Sequence, residues 1–278
     1  ASTAIYGARA NGGVILIETK SGKEGKTSVN YKFKIGKNFT RKGYEFVNAE
    51  DYIYYNRLGM LRTNQARDGR MGTYNVDAQS GYGVGNALYD IRYLTDETAH
   101  LQNEGWSVMN DPYYDGKQIL FRDYNGQLDD EVFSSSAITQ DHYLNITGGN
   151  DKSTFASSLG YYNEDGMIKG TGFKRFSGSF NGSYKIFPIL NIKAGVSYVW
   201  STRPELWIGT YEFFYRTRSQ RPTWNPWMED GTPASGGGTG DGNPAYYRDL
   251  LTQKNSTARA TYNIGFTLDI LPKELVLN

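Results

Sequence analysis

Polar and apolar residues alternate with a period of two along much of this chain, the pattern of β-strands with one polar and one apolar face. Val29, Tyr31, Phe33 and Ile35 share one face of a first strand, opposite Asn30, Lys32, Lys34 and Gly36. Leu144 and Ile146 alternate with Tyr143, Asn145 and Thr147 up to a short turn, Gly148-Gly149-Asn150-Asp151. In the third strand Phe155, Ser157, Leu159 and Tyr161 oppose Thr154, Ala156, Ser158 and Gly160. Phe176, Phe180, Tyr184 and Ile186 then share a face against Arg175, Ser177, Ser179, Asn181, Ser183 and Lys185, and Phe187-Pro188-Ile189-Leu190 turns the chain. Ile192, Ala194, Val196, Tyr198 and Trp200 oppose Asn191, Lys193, Gly195 and Ser197 in a strand ending near Arg203-Pro204. The longest alternation runs from Ala258 to Ile270, about 13 residues, slightly more than a tilted membrane-crossing strand needs. After a turn at Leu271-Pro272-Lys273-Glu274, Leu275 to Asn278 begins another strand.

The connections sort by length. Residues 148–151, 187–190 and 271–274 are short links, whereas about 38–137, 163–173 and 203–255 are long loops. An outer-membrane barrel has this asymmetry, with short periplasmic turns and long extracellular loops, and a soluble sandwich has no reason for it. In a barrel the first strand would run outward and every later odd strand with it. The stretch 38–137 is expected to be irregular apart from one helix, starting at Asn48-Ala-Glu-Asp51 with an Asn cap and acids in the first turn, and stopping near Gly59. At the amino end, Val14 to Ile17 forms an apolar, β-branched run between Gly7, Gly12 and Gly13 on one side and Ser21 to Gly25 on the other, a strand between turns. The fold class is all-β.

Composition changes the picture in a few places. A mean hydropathy of -0.61 and 21% charged residues describe a polar chain with no apolar run long enough for a membrane helix, yet a barrel crosses with strands whose inner face is polar. Aromatic content of 15%, with 23 Tyr and 33 Gly, suits interfacial girdles and turns. There is no Cys, and a formal charge of +1 gives no argument for nucleic acid. His100 and His142 lie far apart, no nucleophile, metalloprotease or phosphate-loop pattern occurs, and carboxylate pairs such as Asp129-Asp130 and Glu164-Asp165 are common in polar loops. No catalytic residue, metal site or cofactor is therefore assigned. Oxygen donors between Asp230 and Asn243 could suit Ca²⁺ but lack EF-hand spacing, which favours a flexible loop tip.

Four blocks carry a family resemblance: Ala1-Ser-Thr-Ala-Ile-Tyr-Gly-Ala-Arg-Ala-Asn-Gly-Gly-Val-Ile-Leu-Ile-Glu-Thr-Lys20, Asn48-Ala-Glu-Asp-Tyr52, Asp141-His-Tyr-Leu-Asn-Ile-Thr-Gly-Gly-Asn-Asp-Lys-Ser-Thr154, and Gly160 to Gly170 with Phe173-Lys-Arg-Phe176. In this order and spacing they resemble the SusC/RagA-like branch of TonB-dependent outer-membrane transporters. The displaced glycine, Arg9-Ala-Asn-Gly-Gly13 where the family commonly has Arg-Gly-Ala-Asn-Gly, leaves the turn in place. The resemblance implies that residues 1–22 end a plug domain, with Tyr6, Gly7, Asn11, Gly12 and Gly13 at the plug-barrel junction. Residues 23–278 would then supply the first seven or so strands of a barrel of about 22. It implies a fragment of a longer transporter, one not expected to fold alone because its edges and apolar face would be open.

The expected function on this resemblance is TonB-dependent import of an oligosaccharide or peptide across the bacterial outer membrane, with a SusD-like surface lipoprotein as partner, TonB as energy source and outer-membrane lipid around the wall. A siderophore or cobalamin receptor is the runner-up, and a secreted β-rich adhesin or carbohydrate-binding module is the reading from another class. Lys32, Lys34, Arg175, Lys185, Lys193 and Arg259 would face the lumen. Trp207, Tyr211, Phe214, Trp224 and Trp227, with Arg218, concentrate rigid aromatic surface and positive charge in the last long loop. They could meet the lipoprotein, meet the substrate, or pack on the loop itself.

Overall fold

The computed structural model describes residues 22–39, 45–63, 89–236, 242–250, 253–271 and 275–277. Tyr6, Gly7, Asn11, Gly12 and Gly13, expected at a plug-barrel junction, lie outside them with all of 1–21. Seven long or edge strands, β1 (Gly25–Phe39), β5 (Ser136–Gly149), β6 (Ser153–Asp165), β7 (Gly172–Phe187), β8 (Leu190–Glu205), β9 (Gln253–Leu271) and β10 (Leu275–Leu277), form one antiparallel sheet in that order. Consecutive wall strands are neighbours throughout, an up-and-down arrangement whose two edges, β1 and β10, leave the sheet unclosed. The short links 150–152 and 188–189 fall at one end and the long ones at the other, as the loop lengths predict; the third short link, 272–274, lies outside the described residues. At the first short link the Asn150 side-chain oxygen accepts from the backbone N–H of Lys152 (3.0 Å) and Ser153 (2.8 Å), which closes the hairpin tightly.

Register confirms that the alternation is coherent across the sheet. Val29, Ile146, Ser157, Phe180, Val196 and Tyr262 stand opposite one another on one face, and Asn30, Asn145, Ser158, Ser179, Ser197 and Thr261 on the other. Lys32, Tyr143, Gly160, Ser177, Val199 and Arg259 form the next polar-face row. A one-residue slip anywhere would mix the faces, so the pairing is strongly specified. Hydroxyl pairs stitch the polar face, Ser158 to Ser179 and Thr154 to Ser183, each at 2.7 Å. Gly195 lets two amides close over it: a Cβ there would stand 2.1 Å from the Asn263 amide oxygen and 2.5 Å from that of Asn181, and both side chains would have to turn aside.

The apolar face carries aromatic rows at two heights. Phe33, His142, Tyr161, Phe176 and Trp200 line up across five neighbouring strands, and eight residues further along Tyr184, Ile192 and Phe266 line up again. At about 3.3 Å per residue and a tilt near 40°, that is about 20 Å of height, close to the ~25 Å apolar band of an outer-membrane barrel. Phe180 and Val196 lie midway. An exposed apolar face of this height is the kind a barrel wall turns to lipid.

The stretch 38–137 is more structured than its sequence suggests. It holds α1 (Ala49–Thr63), a 3₁₀ turn (Ala99–Glu104), α2 (Gln127–Val132) and a small sheet of β2 (Ile91–Tyr93), β3 (Ser107–Asn110) and β4 (Gln118–Phe121), with β4 in the middle. Asn48 caps α1, its side-chain oxygen accepting from the Asp51 N–H at 2.8 Å. The helix runs four residues past the expected stop at Gly59, since one glycine costs only about 1 kcal/mol and Leu61-Arg62 continue it well. The β8–β9 loop holds α3 (Thr210–Arg218) and α4 (Pro244–Leu250).

Candidate functional site

At the long-loop end the three long connections merge into a cap with its own core. Ile53 of α1, Ile91, Ile119 and Phe121 of the small sheet, Val132 of α2, Ile168 of the β6–β7 link, and Phe213 and Trp224 of the last loop belong to one buried cluster. A β-bridge between Tyr89 and Trp224 joins the first and last connections directly. A helix contributes to such a core through a stripe at four-residue spacing. In α1 that stripe is Ala49, Ile53 and Arg57, all buried.

Arg57 puts a charge inside this core, and the fold supplies its partner. Its Nε donates to Asp111 Oδ1 at 2.8 Å and its Nη2 to Asp111 Oδ2 at 2.5 Å, with a further bond from Nη2 to the Tyr93 hydroxyl at 3.0 Å. The rings of Tyr93, Tyr113 and Tyr114 surround the guanidinium at 5.7 to 5.9 Å. Burial opposes the Arg57 charge, but the Asp111 carboxylate outweighs it and holds the pKa above the ordinary value. Nearby, burial lifts Asp90 above the usual carboxylate range, only partly offset by the hydrogen bond it accepts from Tyr124. Burial and that same carboxylate push the Tyr124 hydroxyl up in turn. None of Arg57, Asp111, Asp90 or Tyr124 was singled out by motif; the available signal was Arg57 standing on the apolar stripe of its helix.

The expected recognition residues separate into three groups. Trp224 is 2% exposed and is a core residue of the cap, so it offers no surface to a ligand; its backbone bridges to Tyr89 at the seam between the first and last connections. Phe214 stacks on Phe133 at 4.8 Å, and Trp207 meets Phe213 and Tyr247 edge-on or tilted at 5.5 and 5.6 Å, so both mainly pack the loop. Arg218 is also structural, bonded to Asp129 at 3.1 Å and lying over Phe133 at 5.2 Å. Trp227 is half-buried, its Nε1 donating to Gln127 Oε1 at 2.9 Å. Tyr211, on the first turn of α3, is 82% exposed and stands free for an external partner.

Below the cap, an open cavity of 870 Å³ lies between the β6–β7 link and the start of the β8–β9 loop, lined by Ile168, Phe173, Trp207 and Phe214 together with Arg203 and Glu205. Arg203 and Glu205 pair at 3.0 Å and share the register face of Lys193, so the cavity opens on the polar side of the wall. On that face the six cations Lys32, Lys34, Arg175, Lys185, Lys193 and Arg259 all stand, with Lys185 4.0 Å from Glu24 and Arg175 over Tyr162 at 5.5 Å. In the stretch from Asp230 to Asn243, Asp230 bonds the Thr232 N–H (2.9 Å) and hydroxyl (2.6 Å) as a local turn, and these bonds hold its pKa down. Residues 237–241 lie outside the described set. Among the described residues no three His, Cys, Asp or Glu side chains gather to hold a metal ion.

No protein-family model matches the chain. It is 28% identical over 182 residues, 65% of its length, to the TonB-dependent receptor SusC of Bacteroides thetaiotaomicron, of which the match covers 13%. Its fold is similar to that of the RagAB peptide importer in the closed-closed state, with a TM-score of 0.60, 20% identity, and coverage of 96% of this chain and 29% of that one. The same importer in the open-open state gives a TM-score of 0.59, with 19% identity and coverage of 97% and 29%. The chain thus spans less than a third of the length of these relatives. Up-and-down strand order, sorted loops, a two-faced wall and the likeness to SusC agree, and together they make this chain similar in sequence to part of a TonB-dependent receptor, SusC, and in fold to part of the RagAB importer barrel.

Proposed function

We propose that the protein carrying this chain imports a nutrient oligosaccharide or peptide across the bacterial outer membrane, with TonB supplying the energy and a SusD-like surface lipoprotein closing the mouth. The observation that carries this reading is the register of the wall, six strands deep, with an apolar face at membrane height and a polar, cation-bearing face behind it. The likeness in fold to a peptide importer supports the peptide class, and the sequence's resemblance to the SusC/RagA-like branch supports the oligosaccharide class. The chain does no chemistry on its cargo. Its work is to shape a passage, and Lys32, Lys34, Arg175, Lys185, Lys193 and Arg259 line the lumen where plug and solute meet. Residues 1–22 end the plug, and residues 23–278 build wall and loops.

Tyr211 is the residue of the expected set best placed to touch the lipoprotein or the solute, with Trp227 beside the cap surface. The test uses the full-length transporter in cells. Deleting it should abolish growth on the cognate solute, and Tyr211→Ala with Trp227→Ala should reduce either lipoprotein co-purification or uptake while the barrel still reaches the membrane. Unchanged growth and uptake in the deletion strain would defeat the import reading.

A further inference from the structure

Above the upper aromatic row, the lipid face changes character within one register step. Beyond Phe33, His142, Tyr161, Phe176 and Trp200 come Ile35, Gln140, Asn163, Lys174 and Thr202, and one step further stand Lys37 opposite Ile138 and Pro204 opposite Lys254. The parity is that of Phe176 and Tyr262, so Lys37, Lys174 and Lys254 occupy the outward face, away from the lumen. An outward lysine just above an aromatic girdle stands at the height of lipid headgroups.

Two of these lysines line a cavity. It measures 540 Å³ and lies over the β6–β7 link and the ends of β7, β8 and β9, with Lys169, Lys174, Lys254, Thr202 and Ser136 among its walls. All three lysines are exposed. Lys169 donates to the Asp130 carbonyl at 2.9 Å, whereas Lys174 and Lys254 make no hydrogen bond or ion pair among the described residues. Two carboxylates, Glu164 and Asp165, also border the cavity; Glu164 already accepts from Tyr162 at 2.7 Å, and the balance stays positive. The lumen cations are a separate set on the opposite face.

We propose that this cavity seats the phosphorylated headgroup of an outer-leaflet lipid. Lys174 and Lys254 contact its phosphate, Thr202 and Ser136 offer hydroxyl donors, and the acyl chains descend along Trp200 and Phe176. The ligand fits because an anion here is neutralised from the protein side while its chains stay in the apolar band, each surface lysine adding of the order of 1 kcal/mol to such an attraction, equivalent to about fivefold in affinity.

The full-length transporter, purified in detergent, is titrated with lipid A and the bound copies are counted by native mass spectrometry. Wild type and the Lys174→Arg/Lys254→Arg variant should bind alike. Lys174→Ala/Lys254→Ala should bind at least about tenfold more weakly, and Lys185→Ala/Lys193→Ala, on the lumen face, should bind as wild type does. Heat-modifiable migration on gels confirms that each variant is a folded barrel. Equal binding by the Lys174→Ala/Lys254→Ala variant, or equal binding of lipid A stripped of its phosphates, would overturn the proposal. So would inorganic phosphate binding as tightly as the lipid, because the site would then serve a free anion.

Discussion

Arg57 and Asp111, 54 residues apart in the chain, form a two-point ion pair from which water is excluded on both sides. It ties α1 to the small sheet, and through Tyr93 to β2. Removing one partner strands a buried charge, at a cost of about 3–5 kcal/mol, while replacing both with apolar groups of similar size is often near neutral. Asp111→Ala should therefore open the cap to protease in the full-length transporter, and Arg57→Met with Asp111→Leu should restore much of the protection. Equal protease sensitivity of the single and double variants would show that the pair does more than balance charge.

The stability of the cap should fall as pH rises through the window set by Asp90. Its folded pKa is raised by burial above the unfolded value, near 4, so between the two values the folded state binds more protons than the unfolded one. Protonation therefore favours the folded cap at the acid end of the window, and the desolvation cost is felt in full above the folded pKa. Hydrogen exchange of the cap amides in the intact transporter, followed across this range, should show protection decreasing with pH. Asp90→Asn should flatten the trend.

Trp224 and Tyr211 should behave in opposite ways when truncated. Trp224→Ala opens a cavity in the cap core and should cost about 3–5 kcal/mol, seen as early loss of cap protection from exchange. Tyr211→Ala changes an 82% exposed side chain and should leave stability within about 0.5 kcal/mol. A large loss of stability in the Tyr211 variant would place that ring inside an interface within the same chain.

Phe180 and Ser179 are adjacent in sequence and on opposite faces of β7. A lysine at Phe180, midway between the aromatic rows, should cost about 2–4 kcal/mol in a barrel that faces lipid there, and a lysine at Ser179 far less. The yield of heat-modifiable barrel in the outer membrane reads the difference. Equal yields would mean that the apolar face is covered by protein.

Gly22 sits where the chain enters the wall, and a Cβ on it would stand 2.2 Å from the backbone nitrogen of Phe155. Backbone cannot swing away as a side chain can. Gly22→Ala should force the entry segment off β6 and lower the yield of assembled transporter, with Gly59→Ala, which meets nothing, as the tolerated control.

Legibility in the sequence followed range. The wall strands were readable because a period of two repeats for a dozen or more residues in β5, β7, β8 and β9, and loop lengths then told one end from the other. The small sheet was not, because β2, β3 and β4 have only three or four residues each, too few for a period to show. Loop aromatics look alike in sequence whether buried or free: Trp224 and Tyr211 differ only once Tyr89, far upstream, comes to rest against the former. The Arg57–Asp111 pair has the same cause, a partner fixed by tertiary contact alone. That the six cations share one face was legible, because the period of two carries from strand to strand and Lys32 and Arg259 fall in one register row.

The bridge between Tyr89 and Trp224 joins loops that spring from β1 and from β8, strands with three others between them. It is a chord drawn across an arc of the wall. A sheet is free to flex by changing the angle between neighbouring strands, but an arc whose ends are tied above it has a set radius. At this sector the rim cannot widen without breaking the backbone bridge, so the strands from β1 to β8 move as one piece and any hinge lies beyond the tie.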